Sequence, residues 1–259
     1  MDMTNTLKYI FLFGLGLSHL PNQTVYAQKS SISQMEHLDR GLVALPAQGK
    51  GVFLSWRLLG TDSKNVYFDI ERDGKIIAHQ VKLTNYTDPK GSAANSYRII
   101  TYQNEPRMDA PAEREVSKVI KPWNNLYRSL PINRPAGGVT PDGKSYEYTP
   151  NDCSVGDVDG DGEYEIILKW DPTNAHDNSH DGYTGEVIFD CYKMDGTQLW
   201  RINLGRNIRA GAHYTQFLVY DFDGDGKAEM VCKTSAGSVD AKGKFVSDAA
   251  TDDGIRSID

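Results

Sequence analysis

The chain has 259 residues, a formal net charge of −7 and 39 % hydrophobic residues. That is enough apolar material for a buried core in one or two domains. The acidic balance excludes a nucleic-acid partner, which would call for a basic face. Three cysteines, Cys153, Cys191 and Cys232, are too few and too widely spaced for a disulfide framework. Cys153 and Cys232 fall in or beside strand-like runs, which predicts small buried side chains.

Residues 1–27 read as a secretory signal. Lys8 gives a modest positive start, Tyr9 to Leu17 is an apolar run too short to span a bilayer, and Val25-Tyr26-Ala27 offers a small-residue cleavage site. The expected location is secreted, periplasmic or on the cell surface, with no membrane association after cleavage. From 33 to 120 the chain reads as short strands separated by turn chemistry. Trp56 sits in a run of Val, Phe and Leu. VYFDIERDGKIIAHQ alternates and turns at Asp73-Gly74, a strong hairpin signal, and SYRIITYQN closes the set. This pattern resembles a fibronectin type III-like β-sandwich, with Trp56 and Tyr97 as core residues. The charged stretch Asp109 to Lys121, with Pro111 within it and Pro122 after it, is expected to be a linker or an edge strand.

From 121 onward the punctuation changes to Asp/Gly turns. DVDGDGEYEIILKW, starting at Asp157, returns as DFDGDGKAEMVCKT, starting at Asp221, 64 residues later. Asp157, Asp159, Asp161 and Glu165 align with Asp221, Asp223, Asp225 and Glu229. Alternating aspartates closed by glycine turns direct several carboxylate oxygens at one centre, the hard-oxygen environment that Ca²⁺ takes. Each loop opens into a β-branched or aromatic run, which predicts a strand next. An EF-hand is excluded, because the twelfth position of the first loop is Leu168 and the flanks lack a helical period. A repeat of this length, opening strands from Asp/Gly loops, suggests propeller blades with insertions.

NDCSVGDVDGDGEYEIILKWDPTNAHDNSHDGYTG and LWRINLGRNIRAGAHYTQFLVYDFDGDGKAEMVCKTSAG together resemble the rhamnogalacturonan lyases of polysaccharide lyase family eleven. The resemblance implies an all-β chain: the sandwich over 33–120, then over 121–259 the first blades of an eight-bladed, calcium-binding propeller, incomplete at this length. It implies cleavage of the rhamnose-galacturonate backbone of pectin by Ca²⁺-assisted β-elimination, with rhamnogalacturonan I as partner and a monomeric state. The family pattern assigns substrate contacts to Asn151 and Asp171. It assigns calcium ligands to Asp152, Asp157, Asp159, Asp161 and Glu165, with Glu163 giving its carbonyl. In the second loop it assigns Asp221, Asp223, Asp225 and Glu229, with the carbonyl of Lys227. The catalytic base has no counterpart here and is expected beyond residue 259, so the 259-residue chain alone is expected to be inactive.

Three polar groups remain. His176, Asp177, Asn178, His180 and Asp181 read as a hydrogen-bonded surface loop. Arg206, Arg209 and His213 are either structural or placed to face a polyanion. Lys169 and Lys233 repeat in register, which favours architecture over a role as base. The alternative to an enzyme is a non-catalytic, calcium-stabilised propeller that serves in binding or adhesion. NDCSVGD and KWDP around the first loop argue against that alternative. Dockerins, which pair two calcium loops with helices, are set aside because their loops lie much closer together.

Overall fold

A computed structural model describes residues 36–103, 114–177, 179–211 and 214–247. The predicted signal segment, residues 104–113, Asn178 and His213 lie outside the described residues. Fifteen strands and no helix make up the described chain, all of it within one compact unit spanning 35–259. No helix among the described residues is long and apolar enough to cross a membrane.

In chain order the first seven strands are β1 (Val43–Pro46), β2 (Val52–Ser55), β3 (Tyr67–Arg72), β4 (Lys75–Val81), β5 (Asn85–Asp88), β6 (Tyr97–Tyr102) and β7 (Arg114–Val116). They form two antiparallel sheets, β1-β2-β5 and β4-β3-β6-β7. The period-two alternation of the sequence sends Ala44, Val52 and Leu54 from one sheet, and Phe68, Ile70, Tyr97 and Ile99 from the other, into one shared core. Trp56 lies in it with its ring 5.2 Å from Phe68, edge to face. Tyr97 is buried as well and donates its hydroxyl to Asp88 at 2.9 Å. The hairpin at Asp73-Gly74 forms as predicted, with both residues at positive φ (49° and 79°), the geometry that keeps a tight turn in step with strand twist. The predicted edge element is β7, paired on the outside of β6.

A second group follows: β8 (Gly138–Val139), β9 (Ser145–Tyr146), β10 (Tyr148–Gly156), β11 (Glu165–Pro172), β12 (Ile188–Tyr192), β13 (Gln198–Asn203), β14 (Phe217–Tyr220) and β15 (Glu229–Cys232). β10 to β13 make a sequential antiparallel meander, and β14-β15 is a separate hairpin. Its inner strands β11 and β12 are buried on both faces. Ile167, Phe189 and Cys191 point towards Phe217, Val219, Met230 and Cys232 of the hairpin. Leu168, Trp170, Ile188 and Tyr192 point the other way and pack with Tyr148 and Leu130. This explains why β12 is apolar almost throughout.

Of the two cysteines expected to be buried, Cys232 is half-buried and Cys153 is exposed; Cys191 is fully buried. The prediction for Cys153 fails because β10 is the outer strand of the meander and a register shift falls between Pro150 and Cys153.

One polar group interrupts the second core. Asp190 is fully buried, and it accepts hydrogen bonds from Trp170 Nε1 (2.7 Å), the Tyr192 hydroxyl (2.6 Å), Arg201 Nε (2.7 Å) and Arg201 Nη2 (2.7 Å). Burial and that bond push the Tyr192 hydroxyl up to about 12. Four donors satisfy one carboxylate, so the network survives out of water only as a set. Asp190→Ala is therefore expected to destabilise the fold by about 3–5 kcal/mol in a urea titration, because it strands Trp170, Tyr192 and Arg201 together. In the first group, burial alone would raise Asp62. Hydrogen bonds from Arg40, Gln103 and the Leu59 N–H outweigh it and hold the carboxyl below the usual range. A folded-state pKa lowered in this way stabilises above the ordinary carboxylate range, and the benefit is lost as pH falls through the lowered value. Thermal melts of wild type should therefore fall off below about pH 4, and Asp62→Asn should be less stable at neutral pH with a shallower acid slope.

Candidate calcium loops and the bulge beside them

The first loop joins β10 to β11 and the second joins β14 to β15. Both are wound the same way. At the first, Asp157 is fully buried, its Oδ1 accepting the N–H groups of Gly160 (2.7 Å) and Asp161 (3.1 Å) and its Oδ2 that of Gly162 (2.9 Å). At the second, Asp221 does the same for Gly224 (2.6 Å), Asp225 (3.1 Å) and Gly226 (3.0 Å). Glu165 reaches back to the Val158 N–H and Glu229 to the Phe222 N–H, each at 2.9 Å. The 64-residue repeat in sequence is thus a repeat in hydrogen bonding.

The donor chemistry fits a hard divalent cation. Carboxylate oxygens of Asp157, Asp159 and Glu165 lie within 4.8 Å of one another, and so do those of Asp221, Asp223 and Asp225. Glu165 is 1 % exposed, and its burial, with Asp159 and Asp161 close by, pushes its carboxyl above the usual range. A buried acid crowded by like charge is what a bound cation relieves. Of the other expected ligands, Glu163 turns its side chain to Lys118 at 2.7 Å, which is compatible with a role for its carbonyl. Asp161 is held by Lys193 at 2.8 Å. Asp152 is not among the three clustered oxygens of the first loop. Its carboxylate faces Lys169 at 3.6 Å.

The two loops are also tied to the first group of sheets. Glu36 accepts the Asp157 N–H at 2.8 Å, and Asp39 donates its N–H to the Gly162 carbonyl at 2.8 Å. A Cβ at Gly162 would come within 3.2 Å of the His37 carbonyl, and one at Gly226 within 3.2 Å of the His37 ring. Both glycines have φ near +90°, at 87° and 93°. The equivalent glycine of each loop is therefore required twice, for the turn and for the approach of segment 36–39. Arg57 stacks its guanidinium 4.2 Å from the Tyr164 ring on the same seam. The Ala228 N–H bonds the Asp157 carbonyl at 2.7 Å, linking the loops directly. None of these ties has a signal in the repeat itself.

The expected substrate residues lie at a β-bulge. Pro150 pairs with Trp170 and Cys153 with Leu168, so Asn151 and Asp152 together oppose Lys169. An extra residue re-aims side chains at such a point. The Asn151 amide hydrogen-bonds the Asp171 carboxylate. Lys169 is 1 % exposed, 3.6 Å from both Asp152 and Asp171, and donates to the Tyr214 carbonyl at 3.2 Å. Asn151, Asp152, Lys169 and Asp171 thus form one cluster. Beside it runs an open groove of about 760 Å³ between Asp152–Ser154 and residues 216–218 and 231–233. Lys233, the partner of Lys169 in the repeat, is exposed along that groove. The equivalence of the two lysines holds in sequence but not in environment.

In the described part of the polar loop, His176, Asp177 and His180 are hydrogen-bonded as expected. His176 Nδ1 lies 2.8 Å from the Asn174 carbonyl, and Asp177 accepts the Ser179 N–H. Arg209 is spent on that loop, donating to the carbonyls of His180 (2.6 Å) and Gly182 (3.1 Å). Arg206 lines a separate cavity of about 310 Å³ with Tyr146, Tyr183 and Asn207.

Paired acidic turns that open strands, beside a bulge carrying amide, carboxylate and ammonium, are the distinguishing features of this all-β protein. Comparison with known proteins narrows this. Residues 127–256 match the model of the rhamnogalacturonan lyase family 11 C-terminal domain, and residues 33–119 match that of the rhamnogalacturonan I lyase beta-sheet domain. The chain belongs to rhamnogalacturonan lyase family 11. It is 51 % identical over 251 residues to the rhamnogalacturonan endolyase YesW of Bacillus subtilis, covering 96 % of this chain and 39 % of YesW. It is 55 % identical over 221 residues to the exolyase YesX of the same organism, covering 85 % of this chain and 35 % of YesX. Among solved structures, that of YesW aligns with a TM-score of 0.76 at 54 % identity, over 85 % of this chain and 36 % of YesW. A Bacillus licheniformis rhamnogalacturonan lyase aligns with a TM-score of 0.76 at 52 % identity, over 87 % and 37 %. The chain therefore spans little more than a third of the relatives it matches.

The buried aspartate of each loop should matter with and without metal. Asp157→Ala removes the acceptor of three amides and is expected to cost about 1–3 kcal/mol even in chelator. In wild type, Ca²⁺ should raise the melting temperature and chelator reverse it, as followed by circular dichroism.

Proposed function

We propose that this chain is part of a calcium-dependent rhamnogalacturonan lyase that acts on the rhamnose-galacturonate backbone of pectin by β-elimination. The observation that carries the reading is the bulge at Asn151–Asp152. It places an amide, two carboxylates and a buried ammonium in one cluster at the strand that leads into the first acidic loop. Family membership and the lyase names of the relatives support it. An endolyase and an exolyase share this region, so we assign the choice between internal and terminal attack to residues outside it.

In this reading, Asp157, Asp159, Asp161 and Glu165 hold one Ca²⁺ with the Glu163 carbonyl, and Asp221, Asp223, Asp225 and Glu229 hold another with the Lys227 carbonyl. Asp152 is a ligand at the bulge. These loop ions are structural. At the substrate, calcium supplies neutralisation of the uronate carboxylate, which makes the C5 proton more acidic. Asn151 and Asp171 bind sugar hydroxyls, and Lys169 holds the two carboxylates at the bulge in place. The base that takes the C5 proton lies outside these residues, since Lys169 is committed to Asp152, Asp171 and Tyr214, and Arg209 to backbone carbonyls. Residues 33–120 form a fibronectin type III-like sandwich, and 121–259 the first blades of an eight-bladed propeller. The protein is secreted as a monomer after removal of residues 1–27.

Titration of the chain with rhamnogalacturonan I oligosaccharides in Ca²⁺ should give binding without the ultraviolet absorbance of an unsaturated product. Asn151→Ala and Asp171→Asn should each weaken binding about tenfold. Turnover would overturn the placement of the base. Binding untouched by both substitutions would overturn the substrate site.

A further inference from the structure

The two loops share a backbone but not an electrostatic environment. β12 pairs with β11 so that Tyr192 stands opposite Ile166, one residue past Glu165. The antiparallel register thus delivers the next residue, Lys193, to the mouth of the first loop. A turn closed by the Lys193 N–H to the Thr197 carbonyl (2.8 Å) and the Gly196 N–H to the Lys193 carbonyl (2.9 Å) fixes it there. Its Nζ sits 2.5 Å from Asp159 and 2.8 Å from Asp161. Lys118 neutralises Glu163 on the same loop, and the Lys227 stem lies along Gly160. At the second loop, no basic group among the described residues lies within ion-pair distance of Asp223 or Asp225. Among the described residues, β15 pairs with β14 alone.

We propose that Lys193 is the tethered counter-ion of the first loop, that Ca²⁺ enters this loop only by displacing it, and that the two loops therefore bind Ca²⁺ unequally, the second more tightly. Asp159 and Asp161 alternate between an ammonium and a metal, each of which offsets the repulsion among the same carboxylates. Without metal, Lys193 pairs with the carboxylates at the mouth of the first loop, and no lysine among the described residues does so at the second. The inference rests on the reading of these loops as calcium sites.

Isothermal titration of the chain with CaCl₂ tests it, with Asp223→Asn/Asp225→Asn silencing the second loop so that the first is read alone. Wild type should bind in two steps, the silenced variant should keep the weaker one, and adding Lys193→Met should tighten that step several-fold. Lys193→Arg should keep it weak. Melting gives a second readout: Lys193→Gln should lower the midpoint in chelator and have a much smaller effect in saturating Ca²⁺. Equal affinities of the two loops, or a first-loop affinity unmoved by Lys193→Met, would overturn the inference and leave the calcium reading standing. No heat of binding in any variant would overturn both.

Discussion

Asp157 and Asp221 each sit at the head of a loop with both carboxylate oxygens turned inward on three backbone N–H groups. Everything at this end of the molecule depends on that winding. It curls the chain tightly enough to bring the alternating aspartates onto one side. It also presents Gly162 and Gly226 to segment 36–39, so the first group of sheets rests on the loops of the second. A carboxylate buried this way is stable because its charge is met by amide dipoles, as an anion is in a backbone nest.

The same winding leaves surplus negative charge at the loop mouths, and lysines offset it at the first loop. Lys193 and Lys118 meet the first loop from different parts of the chain. At the bulge, Lys169 stands between Asp152 and Asp171 and is itself held by a carbonyl. A buried lysine with these partners is a firm anchor for the residues around it. Its position on β11 puts it on the face of Ile167 and Asp171, opposite Leu168 and Trp170. The face that packs Ile167 against the β14-β15 hairpin thus also carries the polar cluster, while the opposite face packs Leu168 and Trp170.

The sequence by itself determined the all-β class, the two acidic loops, the hairpin at Asp73-Gly74 and the core placement of Trp56 and Tyr97. These rest on period-two alternation, turn chemistry and short motifs, which are local and act through neighbouring residues. The family was also legible there, because motifs as long as the one around Asp157 carry more information than any single loop. What only the tertiary structure decided is which side chains meet. The bulge opposite Lys169, the exposure of Cys153, the different surroundings of Lys169 and Lys233, and the arrival of Lys193 and His37 at the loops all follow from strand register and sheet packing. Those are set by pairings between distant residues, and a one-residue shift in register changes the face on which a side chain stands. No repeat or composition encodes that shift.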